Sequence, residues 1–243
     1  MAEKGGTGME ATQNRKIWGL SQEGLKSIAC LTMFLDHIGA VFVPGYYTYY
    51  VLRLIGRIAF PIYCFLLAEG VHYTRNPRKY ALRLALGAVA SEIPFDLAFY
   101  GGVTLAHQSV MLTLLLGFGV VMLWEKLPIW AGVTLTAMLA LAAEWLNTDY
   151  GGWGVVLIVA FGALREKPRW QLVLLLTLIL LSMDSIGVPF LWGIPIELFA
   201  LLALIPIGLY SGKRGRPARG KQLFFYGFYP VHLLLLWLLA QAV

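Results

Sequence analysis

The sequence predicts an all-α fold, a polytopic integral membrane helix bundle of about nine transmembrane helices with the N-terminus inside and the C-terminus outside. Three observations carry this. First, 59% of the 243 residues are hydrophobic and only 13% are charged, whereas soluble domains run at roughly 45–50% apolar and about 25% charged. The mean hydropathy of +0.71 agrees. Second, long apolar runs recur along almost the whole chain, near the roughly 20 residues that cross about 30 Å of hydrocarbon. Third, the cations alternate from one inter-run segment to the next. This composition excludes a disordered chain, a soluble enzyme of ordinary build and a nucleic-acid binder with a basic groove.

Taken in order, residues 1–20 read as a flexible cytoplasmic tail, Gly-rich and polar at its start and without apolar periodicity. Residues 21–243 read as one transmembrane domain with no internal boundary. The apolar runs fall at 24–43, 49–72, 80–100, 108–124, 128–146, 152–164, 170–186, 190–210 and 223–241, the fourth and sixth being short. The first starts too late and runs too long for a cleaved signal peptide, so it reads as a retained anchor. Gly and Pro between runs supply turns. The runs are continuous rather than alternating, which favours helices over barrel strands.

Charge supports the count. With the N-terminus inside, the inner segments hold Lys4, Arg15, Lys16 and Lys26, then Arg75, Arg78, Lys79 and Arg83, then Lys126, then Arg165, Lys167 and Arg169, and last Lys213, Arg214, Arg216, Arg219 and Lys221. The outer loops hold no Lys or Arg. Removing or adding one span breaks the alternation downstream. This arrangement corresponds to a multi-pass protein of the cell's inner membrane, with the lipid bilayer as its first partner.

The two remaining cations, Arg53 and Arg57, fall inside the second run. Charge at that depth is expensive and usually faces a bundle interior or a wet cavity. Their spacing puts them on one helix face. Glu92 and Asp96 repeat that spacing on the third run, at matching depth. They read as interhelical ion pairs with the arginines, as part of a charge network that holds a site open, or as both. Pro94 between them is expected to kink the helix and free a carbonyl. His37 shares this layer, roughly 10 Å from the outer end of the first run at about 1.5 Å per residue, and suits a general base on an amine or hydroxyl. Asp36 points about 100° away from His37, so the two need not touch. His232 follows Pro230 in an aromatic-rich stretch and reads as a second site histidine or as part of an interfacial belt. Glu69 and His72 close the inner end of the second run, where snorkelling to water is expected. Glu144, Asp149, Asp184 and Glu197 read as groups at or near outer helix ends. Cys30 and Cys64 sit in apolar runs and read as small buried hydrophobes. No metal site and no nucleic-acid partner are expected.

Two inner basic runs stand out: Arg75, Arg78 and Lys79, and Lys213 with Arg214 and the cations that follow. They read either as topology signals that touch anionic lipid or as a docking site for a phosphorylated donor such as coenzyme A.

The stretches Leu25-Lys26-Ser27-Ile28-Ala29 and Met33-Phe34-Leu35-Asp36-His37-Ile38-Gly39 resemble the start of the TraX family, membrane pilin acetylases of conjugative systems. So do Arg53-Leu54-Ile55-Gly56-Arg57-Ile58-Ala59-Phe60-Pro61-Ile62, then Glu69-Gly70, and Ser91-Glu92-Ile93-Pro94-Phe95-Asp96-Leu97. Gln108-Ser109-Val110, Asp149-Tyr150-Gly151 and Phe228-Tyr229-Pro230-Val231-His232 also fit, although the family usually has Asn where this chain has Ser109. The resemblance is specific in the first hundred residues and weaker from the fifth to the eighth run. It implies acetyl transfer from cytoplasmic acetyl-CoA, as co-substrate, to a pilin N-terminal amine, another peptide or a glycan. It is wider than one acceptor, because sugar-modifying acyltransferases also carry a first-helix His and an Arg-x-x-x-Arg pair.

The expected mechanism has acetyl-CoA dock from the basic inner face. His37 takes the acceptor proton, Arg53 and Arg57 stabilise the oxyanion or hold a donor phosphate, and Glu92 and Asp96 orient the arginines. A covalent route through His37 or His232 is the other chemistry. Two other classes compete: a secondary transporter, which intramembrane charges and broken helices also suit, and a non-catalytic assembly subunit.

Overall fold

The computed structural model describes residues 19–43, 47–167, 171–172, 175, 187–188, 194–213 and 219–242. The expected tail up to residue 18, most of the seventh run and the docking candidate Arg214 lie outside the described residues. Helices dominate: α1 (Gln22–Phe42), α2 (Tyr47–Gly56), α3 (Ala59–Tyr73), α4 (Pro77–Tyr100), α5 (Val110–Trp124), α6 (Ile129–Trp145), α7 (Gly151–Ala163), α8 (Leu204–Gly208) and α9 (Arg219–Gln241).

Local chemistry sets the helix ends. The Ser21 hydroxyl accepts from the Gly24 amide at 3.1 Å and caps α1. Asn76 accepts from the Lys79 amide at 3.0 Å, with Pro77 opening α4. The second apolar run is not one helix. It breaks at Arg57 and Ile58, between α2 and α3. Pro61 has no N–H for the Arg57 carbonyl four residues back, so the regular ladder lapses there. By contrast α4 runs on through Pro94.

The eighth run departs further from expectation. In place of a long α-helix, Ile194–Pro195 pairs antiparallel with Gly187–Val188, Ile196–Ala203 forms a tight 3₁₀ segment, and only the five residues of α8 are α-helical. Gly187 and Pro195, which bracket the strand pair, both disfavour a continuing helix there.

Three helical stretches among the described residues are long and apolar enough to cross a membrane: Gln22–Phe42, the broken pair Tyr47–Tyr73, and Leu223–Gln241. Helix α4 is long but carries Arg78, Lys79, Arg83, Glu92 and Asp96. The remaining apolar helices are shorter. A nine-span count therefore does not emerge from the helices themselves. The protein is nevertheless a membrane protein by its surface. Leu82, Leu86, Val89 and Ile93 on α4, Trp130, Met138 and Leu141 on α6, and Leu234, Leu235, Leu238 and Leu239 on α9 all stand exposed, which water would not favour over this area.

In the core, α5 and α7 pack against each other and against α3, with α1, α4 and α9 alongside. Phe60, Leu114, Phe118, Val155, Ile158 and Phe161 fill its centre. The helices approach closely through small residues. A Cβ at Gly117 would lie 2.8 Å from the Ile158 Cβ, whereas one at Gly119 meets nothing within 4 Å. Gly117→Ala should therefore lower stability by about 1–3 kcal/mol, while Gly119→Ala does not; thermal unfolding in detergent compares the two.

Candidate functional site

A cavity of about 1110 Å³ runs along α1, lined by Gln22, Lys26, Met33, Asp36, His37 and Ala40. These positions recur at helical spacing from one end of the helix to the other. At the Gln22 end its walls include Tyr80, Phe225 and Tyr226; midway they are largely apolar; at the His37 end they include Arg53, Arg57, Asp149 and Tyr150.

Asp36 is the hub of the charged end. Arg53 Nη1 donates to its Oδ2 at 2.5 Å, and Arg57 Nη2 donates to Oδ1 at 3.0 Å and Oδ2 at 3.2 Å. All three side chains are largely withdrawn from solvent. The Nε–H groups of both arginines are buried and have no acceptor among the described residues. Two positive charges thus share one carboxylate, and each keeps a donor in reserve. A side chain at Gly56 would overlap Asp36, so the glycine is what lets α2 close on α1.

The pairing with Glu92 and Asp96 expected from sequence does not occur. Glu92 accepts from the Ser109 hydroxyl at 2.7 Å and the Ser109 amide at 3.1 Å, fixing the start of α5. Asp96 accepts from the Thr104 amide at 2.9 Å. The acids anchor the loop after α4, which leaves the arginines to the carboxylate of α1. Glu69 does not snorkel either. It is buried and accepts from Arg165 Nε at 2.5 Å, while Arg165 also donates to the Tyr73 hydroxyl at 3.0 Å.

His37 turns away from Asp36, as adjacent helical residues do, and meets His232 of α9: Nδ1 to Nε2 is 2.7 Å. His232 Nδ1 lies 2.7 Å from the Phe228 carbonyl. That carbonyl only accepts, so His232 Nδ1 carries the proton. Neutral His232 then offers Nε2 as acceptor, His37 donates from Nδ1, and His37 Nε2 keeps its lone pair. Phe99 and Tyr229 pack edge-on against the His37 ring.

The docking candidates Arg75, Arg78, Lys79 and Lys213 are exposed and outside the cavity lining. Sequence reading also missed what Asp149 and Tyr150 do. Tyr150 adopts a left-handed conformation (φ 65°) rare for aromatic residues. Its ring stacks on Phe60 at 3.7 Å and lies 5.9 Å from the Arg57 guanidinium. The Thr113 hydroxyl holds the Asp149 carbonyl, and the Asp149 amide donates to Gln108 at 2.8 Å. The Asp-Tyr-Gly-Gly turn in the sequence was the available signal. Asp149 is exposed toward the cavity, with neighbouring protein crowded around its carboxylate. That desolvation lifts its carboxyl from 3.8 to about 6, against the opposing pull of Arg57 and Arg53.

This is a helical membrane protein with a cavity lined by a carboxylate-bridged arginine pair and by His37, whose ring is held from behind by His232. The TraX protein family model matches residues 21–240, and the chain belongs to that family. It is 31% identical to the probable fimbrial assembly protein FimC, serogroup H1, of Dichelobacter nodosus, over 87% of this chain and 92% of that protein. No solved structure matches it.

Asp36→Asn strands two guanidiniums without a counter-charge and should cost about 3–5 kcal/mol. Adding Arg53→Gln should recover part of the loss, read as the melting temperature of the single and double variants. Asp149, with its folded-state value raised, stabilises most when protonated. Stability should fall as pH rises from about 4 to about 6, and Asp149→Asn should remove that slope in melting curves taken across the range.

Proposed function

We propose that this protein is an integral-membrane acetyltransferase of pilus biogenesis, taking acetyl groups from cytoplasmic acetyl-CoA. It sits multi-pass in the inner membrane, with nine spans and the N-terminus inside, as the alternation of cations indicates. The Gln22 end of the cavity is then the cytoplasmic end. The acceptor is an amine or hydroxyl, a pilin N-terminus by the family resemblance, with a glycan as the other acceptor; the fimbrial assembly name of the FimC relative fits the pilus setting.

The observation that carries this reading is the convergence of His37, Arg53 and Arg57 on one cavity reaching back to the cytoplasmic end. In the proposed step, the acceptor nitrogen or oxygen attacks the thioester carbonyl and its bond to the acetyl carbon forms. His37 Nε2 takes the acceptor proton, which is then returned to the departing sulfur as the C–S bond breaks. The guanidiniums of Arg53 and Arg57, which line the cavity, answer the oxyanion charge. His232 is a positioning residue, holding His37 in the tautomer that leaves Nε2 basic. Glu92 and Asp96 support the wall rather than the arginines.

A non-catalytic assembly subunit is the second reading, favoured by the printed name of the relative. Transfer of labelled acetyl from acetyl-CoA in membranes separates the two. His37→Ala should lower the rate by at least ~100-fold, and Arg57→Gln should lower it strongly while His232→Ala costs less. Near wild-type rates in His37→Ala and Arg57→Gln would remove the catalytic site.

A further inference from the structure

The cytoplasmic end of the cavity carries two cations with aromatic partners, Lys26 in the lining and Arg83 exposed at its edge. Lys26, on α1, has its ammonium 5.4 Å from the centre of the Phe225 ring. Across the mouth, the Arg83 guanidinium of α4 lies 5.3 Å over Tyr80 and 5.7 Å over Tyr226, and its Nε donates to the Tyr226 hydroxyl at 3.4 Å. Lys26, Tyr80, Phe225 and Tyr226 all line the cavity. The two cations are close enough to repel one another. Neither forms a salt bridge among the described residues; Glu23, which attracts Lys26 at longer range, pairs with Lys221 at 2.7 Å. Like charges held together among flat aromatic faces suit an anionic ligand that also carries a π-system.

The distance matters as well. Lys26 and His37 lie eleven residues apart on one continuous helix, about 16 Å at 1.5 Å per residue. Met33, Leu84, Leu67 and Tyr63 line the intervening cavity. A cationic and aromatic end, a largely apolar middle and a polar far end match a long donor with a phosphorylated purine head and a thioester arm.

We infer that Lys26, Arg83, Tyr80, Phe225 and Tyr226 form the head-group site for the donor's phosphates and purine, in place of the basic loops at 75–79 and 213–221. The inference rests on the acetyltransferase reading and names where its donor is gripped. The test compares acetyl-CoA with acetyl-pantetheine, which keeps the thioester arm and lacks the head, using full-length protein in nanodiscs. In Lys26→Met and in Arg83→Gln, the ratio of kcat/KM for acetyl-CoA to that for acetyl-pantetheine should fall about 10-fold, the loss of one charge-assisted contact. Lys26→Arg should keep the ratio.

A combined Arg75→Ala, Arg78→Ala, Lys79→Ala variant should also keep it; a fall there instead would put the head-group site on the loop and overturn the inference. Equal losses with both donors would make Lys26 and Arg83 packing residues only. A ratio that is unmoved in the variants but follows the anionic-lipid content of the nanodisc would assign the pair to lipid phosphate. Either result overturns the inference while leaving the enzyme reading intact. Failure of wild-type protein to transfer acetyl from either donor would instead sink the enzyme reading, and the inference with it.

Discussion

One carboxylate held between two guanidiniums governs the architecture around it. Asp36 lies in a helix long and apolar enough to span a membrane, where an unpaired charge is expensive. Its two partners come from the end of α2 and the break before α3. That arrangement needs α1 and α2 in close contact, which Gly56 permits. It also needs the chain to turn at Arg57, which the missing N–H of Pro61 favours. A buried ion network is weak evidence of net stability, because desolvation opposes the Coulomb gain. The geometry offers a better account of its presence. It holds two cations side by side with donors still unused, which an apolar packing of the same volume does not supply.

The other side of the site is held by carboxylates that accept from a loop rather than from cations. Glu92 and Asp96 fasten the segment between α4 and α5. That segment pairs in turn with the α6–α7 turn through Gln108 and Thr148. The result is a braced corner from which Asp149 and Tyr150 face the arginines. Tyr150 keeps its left-handed backbone there because Thr113, Phe60 and the turn itself hold both sides of it. Strain of this kind persists where surrounding structure over-determines a residue, and it clusters at functional sites.

The sequence made the site's layer legible but not its partners. Charges at i and i+4 in apolar runs singled out Arg53 with Arg57 and Glu92 with Asp96, although Arg57 falls in the break between α2 and α3 rather than on a continuous helix. Which acid meets which base depends on helix rotation and lateral neighbours, and no one-dimensional spacing contains that. Opposite pairs at equal depth therefore suggested a contact that Asp36 makes instead. His232 was placed by an aromatic stretch alone, since the bond joining it to His37 spans 195 positions. Helical periodicity served well for α1 and α9. It failed around 187–203, where an apolar run long enough to span folds as a short strand pair and a 3₁₀ segment. Hydropathy reports burial in that stretch without reporting its hydrogen-bond pattern.

The site's position along α1 gives the proposed chemistry a physical logic. The imidazole sits fifteen residues into a helix whose other end faces the cations of the mouth, with apolar side chains between. A thioester delivered through that apolar middle meets the base and the arginines only after passing Met33, Tyr63 and Leu67. Their low polarity disfavours the charged transition state of hydrolysis along the way, and bulk water is a poor competitor once the middle is filled. The arginines then act where the dielectric is low enough for their charge to count. Separating the grip on the donor from the reacting centre in this way lets binding energy gathered at one end position the acetyl group at the other.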